Sequence, residues 1–479
     1  MIERLLPLAA LAGVLAAAPL VQAEPASRPA PALYAASSAM LDDLSERTFR
    51  FFWDTANPAN GLVPDRYPKP SFSSIAAVGF GLTAYTIGVD RGYVTREQAR
   101  ERTLATLRFF RNAPQGPQAQ GVSGYKGFFY HFLDMKTGAR SANCELSTVD
   151  TALLLGGVLH AQSYFTGNDA KEAEIRQLAD DIYRRVDWNW AAGARPNAVA
   201  LGWDPRDGMS KYDWRGYNEA MLVYVLALGS PTHALPAAAW KDWTSTYDKS
   251  WSKQWGQEHL AFAPHFGHQY SHVWIDFRGI QDDYMRRRGI DYFENSRRAS
   301  YAQRAYAIAN PLACKGYGAN LWGVTASDGP ADIVLEQGGV KRAFHSYAGR
   351  GMGAEHYDDC TMAPTGAASS IAFAPEIAIP AIAHMRDQYG SQVYGKYGFL
   401  DAFNLSFNRD IKTADGHVVP GFGWVDGDYL GIDQGPIVAM IANYRDDAVW
   451  RAMRTNQYIR AGLLKAGFSG GWLDRNSAK

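Results

Sequence analysis

The stretch WRGYNEAMLVYVLALGSP, Trp214–Pro231, carries one carboxylate, Glu219, just ahead of an unbroken apolar run. A helix built from that run has no polar face and must be covered on every side. The segments SSIAAVGFGLTAYTIGV, STVDTALLLGGVLHAQ and SSIAFAPEIAIPAIAHM are of the same kind, rich in small residues. A second kind is amphipathic. In DAKEAEIRQLADDIYRRVDW, Ile175, Leu178, Ile182 and Val186 recur three and four apart with charges between them.

The two kinds alternate along the chain. Apolar segments begin near residues 74, 147, 217, 268, 365 and 433, and amphipathic partners near 95, 169, 236, 291, 391 and 447. Thr95 with Gln98, and Asp291 with Glu294, have capping-box spacing. Six pairs of buried inner and half-exposed outer helices predict an all-α fold, an (α/α)6 toroid, as one domain over 37–479. The inner segments are spaced unevenly, from about fifty to nearly a hundred residues. A helical solenoid would keep one repeat length, whereas long insertions usually build a site.

Composition narrows the function. Of 479 residues, Lys plus Arg and Asp plus Glu number 48 each, so no basic field exists for nucleic acid or an anionic membrane. Aromatics make up 13%, with 14 Trp and 26 Tyr, and flat rings with polar tips suit the faces of sugars. At the N-terminus, Arg4 precedes an apolar stretch from Leu5 to Leu20, and Val21-Gln22-Ala23 offers small residues for a signal peptidase. We read residues 1–23 as a cleaved signal peptide and 24–36 as a flexible leader, which predicts a periplasmic or secreted protein with no membrane attachment after cleavage. An oxidising compartment permits one disulfide among Cys144, Cys314 and Cys360; Cys314 with Cys360 is one candidate pair.

Carboxylates gather where the chain enters the inner helices: Glu145 and Asp150; Asp204, Asp207, Asp213 and Glu219; Asp358 and Asp359; Asp426, Asp428 and Asp433. In a toroid these entries converge on one mouth of the ring. Each also has a structural reading. Asp150 has capping-box spacing from Ser147, Asp433 stands where it could cap the last inner helix, and Glu219 suits the positive end of a helix dipole. That dipole favours an ionised Glu219, so a proton-donating role requires burial by neighbours such as Trp214 and Tyr217 to raise its pKa. His265, His268 and His272 have helical spacing without the carboxylate or cysteine that usually completes a zinc site, so sugar contact or core packing is expected of them, and no metal. No P-loop, Rossmann fingerprint or G-x-S-x-G occurs. Paired carboxylates beside aromatics point to cofactor-free glycoside cleavage.

Eight segments, GLVPDRYP, SSIAAVGFGLTAY, ELSTVDTALLLGG, YNEAM, LWGVTASDGP, DDCTMAPTGAASSIAFAPE, YGFLDAFN and YLGIDQGPIVAMIANYR, resemble in that order the glycoamylase-like domain of glycoside hydrolase family 144. The likeness runs from about residue 40 to 466. It implies an (α/α)6 toroid acting on β-1,2-glucan, mostly as an endo-hydrolase releasing sophorooligosaccharides. By the same resemblance Glu219 in YNEAM is the proton donor, and Asp433 in GIDQGP is the first choice for the base, with Asp401 and Asp428 behind it. Glu145 and Asp150 would line the pocket with Trp214 and Tyr217. Asp65, Arg66, Trp322, Asp328, Asp359 and Glu376 match motif positions expected to hold glucose hydroxyls. Cys360 stands in DDCTMAP where the family motif has a small residue, usually glycine.

The sequence therefore predicts an exported, monomeric, endo-acting and anomer-inverting β-1,2-glucan hydrolase whose partner is the glucan itself, with an exo-acting or transglycosylating enzyme on this or another β-glucan as the alternative. A polysaccharide lyase would need a basic cleft with a Tyr or His base. A non-catalytic glucan-binding protein would not need the carboxylates.

Overall fold

The computed structural model describes residues 31–193, 195–337, 340–352 and 357–474. The predicted signal peptide and residues 24–30 of the leader lie outside the described residues, while 31–36 already belong to the first helix.

In chain order the helices are α1 (Pro31–Thr55), α2 (Ile75–Asp90), α3 (Arg96–Asn112), α4 (Thr148–Tyr164), α5 (Ala170–Arg184), α6 (Met221–Gly229), α7 (Ala238–Thr244) and α8 (Tyr247–Ser250). They continue with α9 (Tyr270–Trp274), α10 (Asp283–Arg288), α11 (Tyr292–Ala309), α12 (Pro364–Ala368), α13 (Pro375–Tyr389), α14 (Gly431–Asp446), α15 (Ala448–Met453), α16 (Gln457–Lys465) and α17 (Gly471–Asp474).

The all-round apolar segments are the inner helices. Every residue of α2 from Ile75 to Gly88 is buried, as is every residue of α6. Each buried Leu, Val, Ile or Met there contributes roughly 1.5–3 kcal/mol relative to exposure. The small residues have a steric reason. A Cβ on Gly157 of α4 would lie 2.0 Å from the Gly79 carbonyl oxygen, and one on Gly79 of α2 would lie 2.2 Å from the Leu153 carbonyl oxygen, so this close crossing needs glycine on both helices.

Contacts run around the inner set. α2 packs on α4, α4 on α6, α12 on α14, and α14 back on α2. Two side chains bridge the short members. Ser271 of α9 accepts from Leu222 N (3.0 Å) and donates to the Glu219 carbonyl oxygen (2.9 Å), and Gln269 donates to the Gly366 carbonyl (2.8 Å) and to Ser370 (2.9 Å). Outside them, α3 and α5 pack on α2 and α4 and on each other, α13 packs on α12, and α1 lies along α14 and α2. Thr95 and Gln98 form the predicted capping box at α3; Asp291 caps α11 through the Glu294 amide.

Two outer helices differ from expectation. The fifth starts at Pro375 rather than near 391, where only a 3-10 turn, Gly390–Gln392, is found. Proline opens a helix readily because its missing N–H falls among the unpaired donors of the first turn. Pro375 thus splits SSIAFAPEIAIPAIAHM: α12 and the turns after it stay inside, and α13 buries Ile377, Ala378, Ala381, Ile382 and Met385 at amphipathic spacing. Near 447 stands α15, which is six residues long and packs on α14, α4, α9 and α2. The helix alongside α14 and α2 is α1, which the sequence pattern had not revealed.

Short antiparallel ladders decorate the helices. A five-stranded sheet joins 124–125, 128–130, 146–147, 202–204 and 208–209, and its middle strand runs straight into α4. Strands this short show no alternation, so the sequence pattern concealed them. The 313–362 insertion carries the ladder of 326–328 with 347–349 and a hairpin of 333–337 with 340–344. Cys314 and Cys360 are joined as a disulfide, and Cys144 is free and buried. Cys360 has φ +70°, a left-handed conformation that glycine adopts without strain. No helix of the described residues is long and apolar enough to cross a membrane.

Candidate active site

Three inner-helix entries bring carboxylates together. Asp150 stands in the first turn of α4, Asp433 in the first turn of α14, and Glu219 two residues ahead of α6. Glu219 is thus outside the helical turn expected of it. It is half-buried, and its Oε2 is a buried oxygen with no hydrogen-bond partner among the described residues. Burial, aided by the charge of Asp150, pushes its pKa up to about 7, so it keeps a proton to near neutrality. Of the two expected shields, Tyr217 is turned away, its hydroxyl 3.0 Å from His268 Nδ1 in a buried cluster with Tyr247 and Tyr292. Tyr217 is therefore a core residue and does not line the pocket. Trp214 is half-buried, and its indole N–H donates to Thr148 Oγ1 (2.9 Å), two residues before Asp150.

Asp150, Glu145 and a residue missed in the sequence, His131, form the first group. His131 Nδ1 lies 3.0 Å from Glu145 Oε1 and Nε2 lies 3.5 Å from Asp150 Oδ2, while its ring stacks on Phe132 at 3.8 Å. Burial opposes its charge, but the two carboxylates overcome this and carry its pKa to about 9. Ser147 caps α4 through the Asp150 amide (3.1 Å) and donates to Asp150 Oδ2 (2.5 Å). The Asp150 side chain does not close the capping box; it faces His131 instead.

The second group surrounds Asp433. The ladder of Phe403–Asn404 with Gly423–Val425 places Asp401 and Asp426 at its end, where Asp426 N donates to the Ala402 carbonyl (2.9 Å) and Asp401 N to the Asp428 carbonyl (3.0 Å). Asp401 accepts from Asp328 N (2.8 Å), Asp426 from Asp428 N (3.1 Å), and Asp428 from Lys69 N (3.1 Å). Arg66 is the buried cation of the group, with Nη1 at 2.7 Å from Asp328, 3.7 Å from Asp428 and 3.8 Å from Asp415, and Nε at 3.5 Å from Asp65, while the more exposed Lys69 pairs with Asp415. Asp65 accepts Gly431 N at its carbonyl (2.8 Å), which ties Arg66 to the start of α14.

One guanidinium cannot neutralise so many buried carboxyls. Burial raises the pKa values of Asp401, Asp426 and Asp433 well above the ordinary range, and their mutual repulsion adds to it. Asp401 and Asp433 titrate as a pair, so burial and their mutual repulsion hold a proton between them above the ordinary carboxylate range. Asp401 Oδ1, Asp426 Oδ2 and Asp433 Oδ2 are buried without a hydrogen-bond partner among the described residues. Tyr270 of α9, also missed in the sequence, has its hydroxyl in the field of Asp433, Glu219 and Asp150 and so joins the two groups.

Two sets have ligand atoms close enough to hold a metal ion, His131–Glu145–Asp150 and Asp328–Asp401–Asp426. In the first, both imidazole nitrogens face carboxylates, as a protonated histidine does. In the second, Arg66 and backbone amides already occupy one oxygen of each carboxyl.

Four predicted contacts are structural. Asp359 is fully buried in a bidentate pair with Arg350 (2.7 and 3.0 Å). Trp322 is also fully buried. Glu376 begins α13, after α12 has carried the chain away from its own entry, and there it pairs with Arg297 (2.9 Å) and Tyr301. Tyr217 completes the four. His265, His268 and His272 are buried core residues whose burial lowers their pKa values.

The glycoamylase family model, whose description reads "putative glucoamylase", matches residues 211–457. A crystal structure from Bacteroides caccae, also described as a "putative glucoamylase", is 32% identical, with a TM-score of 0.76 over 91% of this chain and 100% of that one. The endo-β-1,2-glucanase of Chitinophaga pinensis, solved with sophorotriose and glucose, is 27% identical, with a TM-score of 0.76 over 91% of this chain and 99% of that one. An exo-β-1,2-glucooligosaccharide sophorohydrolase of Parabacteroides distasonis is 28% identical over 89% of this chain, which spans only 57% of that relative's length. With the family match covering more than half of its length, the chain belongs to the glycoamylase-like family, glycoside hydrolase family 144.

Proposed function

We propose that this chain is an exported glycoside hydrolase that cleaves β-1,2-glucan to sophorooligosaccharides, endo-acting and anomer-inverting, on an (α/α)6 toroid of which α2, α4, α6, α9, α12 and α14 are the inner ring. The observation that carries the reading is Glu219: a half-buried carboxyl with an unpartnered buried oxygen and a pKa of about 7, at the mouth that also holds the Asp433 group. Glu219 gives its proton to the glycosidic oxygen as the C1–O bond breaks. Water attacks C1 from the other face and passes a proton to Asp433, which shares its buried surroundings with Asp401.

The endo-β-1,2-glucanase from Chitinophaga pinensis supports the substrate and the mode. The Parabacteroides distasonis relative favours a second reading, release of sophorose from the non-reducing end. An acid-rich mouth repels uronates, which argues against a lyase. The apolar N-terminal stretch supports export to the periplasm or beyond, where we propose the protein acts as a monomer.

Incubation with linear β-1,2-glucan tests the proposal. Early products of many lengths are expected, with the α-anomer formed first in a proton NMR time course, and Asp433→Asn is expected to lower turnover roughly 10²–10⁴-fold. Sophorose alone from the start would establish the exo mode. No cleavage, or ends absorbing in the ultraviolet, would overturn the hydrolase.

A further inference from the structure

We propose that Tyr347 is a glucosyl-stacking platform beside Asp433, presented over the carboxylates by a braced arm of the 313–362 insertion. It rests on the reading of this mouth as a β-glucan site. Tyr347 pairs in register with Asp328 in the ladder of 326–328 with 347–349. Side chains of directly paired residues stand on the same face of a ladder, a few ångströms apart. Asp328 is the carboxylate that holds Arg66, so Tyr347 shares its face with the Asp433 group. The Tyr347 hydroxyl accordingly lies in the field of Asp401, Asp328 and Asp433, and of Tyr270.

Tyr347 is 64% exposed, and among the described residues no aromatic ring stacks on it. Yet surrounding protein raises its hydroxyl pKa to about 12. The ring is open to solvent while its hydroxyl lies in the field of the neighbouring carboxylates. A lone exposed aromatic needs no explanation by itself, but this one is held rigidly. Arg350, three residues on, is fully buried; it grips Asp359 with both arms and donates to the Ser327 carbonyl (2.6 Å) in the partner strand. Tyr357 donates to the Ala343 carbonyl (2.6 Å), and the Cys314–Cys360 disulfide closes the base of the arm. That bracing leaves little conformational freedom to lose when a sugar face settles on the ring.

The test is steady-state kinetics of wild type, Tyr347→Ala, Tyr347→Phe and Tyr347→Trp, together with affinity electrophoresis, on whichever of β-1,2-, β-1,3- and β-1,4-glucan the wild type cleaves. Tyr347→Ala is expected to raise KM roughly 10-fold and lose gel retardation while kcat stays within about 3-fold, and Tyr347→Phe and Tyr347→Trp to stay near wild type. Unaltered melting of Tyr347→Ala would exclude a folding defect. An unchanged KM in Tyr347→Ala overturns the platform alone, as does a Tyr347→Phe as weak as Tyr347→Ala, because the hydroxyl rather than the ring would then be the contact. Cleavage of another linkage with the same Tyr347→Ala defect overturns only the β-1,2 assignment. A wild type that binds and cleaves none of the three overturns both.

Discussion

Replacing Glu219 by Gln separates the proton-donor role from a merely structural one, because the same burial that makes the acid also leaves a signature in stability. The folded pKa of about 7 lies above the ordinary value of 4.5. The native protein therefore holds a proton that the unfolded chain releases. The stabilisation from that proton is fully present below pH 4.5 and is lost as pH rises through 7. Across the interval the shift is worth about 3 kcal/mol, of which about 1 kcal/mol is already lost at pH 5 and nearly all at pH 8. Gln does not ionise, so Glu219→Gln is expected to gain about 2 kcal/mol on wild type between pH 5 and pH 8, while turnover falls roughly 10²–10⁴-fold. Urea titrations at the two pH values, with reducing-sugar release from linear β-1,2-glucan, measure both. Parallel stability in the two proteins would show a solvated carboxyl, and the acid would have to be sought elsewhere. A variant with near-wild-type turnover would refute the role directly.

His131 is expected to tune the same proton. Its cation faces Asp150, Glu145 and Asp65, and Asp150 in turn faces Glu219 alongside Tyr270; His131→Asn should therefore move the alkaline limb of kcat/KM up by about one pH unit, and an unmoved limb would sever that link. Asp359→Asn should destabilise the protein by about 3–5 kcal/mol by leaving Arg350 buried without its carboxylate; a fully stable variant with a raised KM would restore the sugar contact first expected of Asp359. Replacing the disulfide by Cys314→Ser with Cys360→Gly should cost about 3 kcal/mol in thermal unfolding, since opening a loop of 46 residues outweighs the relief of glycine at φ +70°.

Much of the helical framework was legible because its signal is local. The all-round apolar character of α2, α4 and α6, and the charge spacing of α3 and α5, state which helices are covered and which face water. Pro375 was equally visible, yet the apolar residues around it masked the boundary between α12 and α13. The candidate site was legible in part for a different reason. Helix entries are recognisable in sequence, and Asp150, Glu219 and Asp433 all stand at such entries. Asp359, Trp322, Glu376 and Tyr217 were misread because a motif position does not say what lies across from it: an arginine, the core, an outer helix or a histidine.

His131, Tyr270, Tyr347 and Arg350 left no sequence signal at all. They sit in or beside short strands and in a five-residue helix, and they matter only through residues distant in the chain, as Tyr270 does through Asp433. By itself the sequence determined the alternation of covered and half-covered helices, the family and the set of acidic entries, because each depends on neighbours within a few turns. Only the tertiary structure decided which carboxyls are desolvated together, which one Arg66 neutralises and which keep a proton. Dielectric and Coulomb energies depend on distance through space, and the chain's order does not encode that distance.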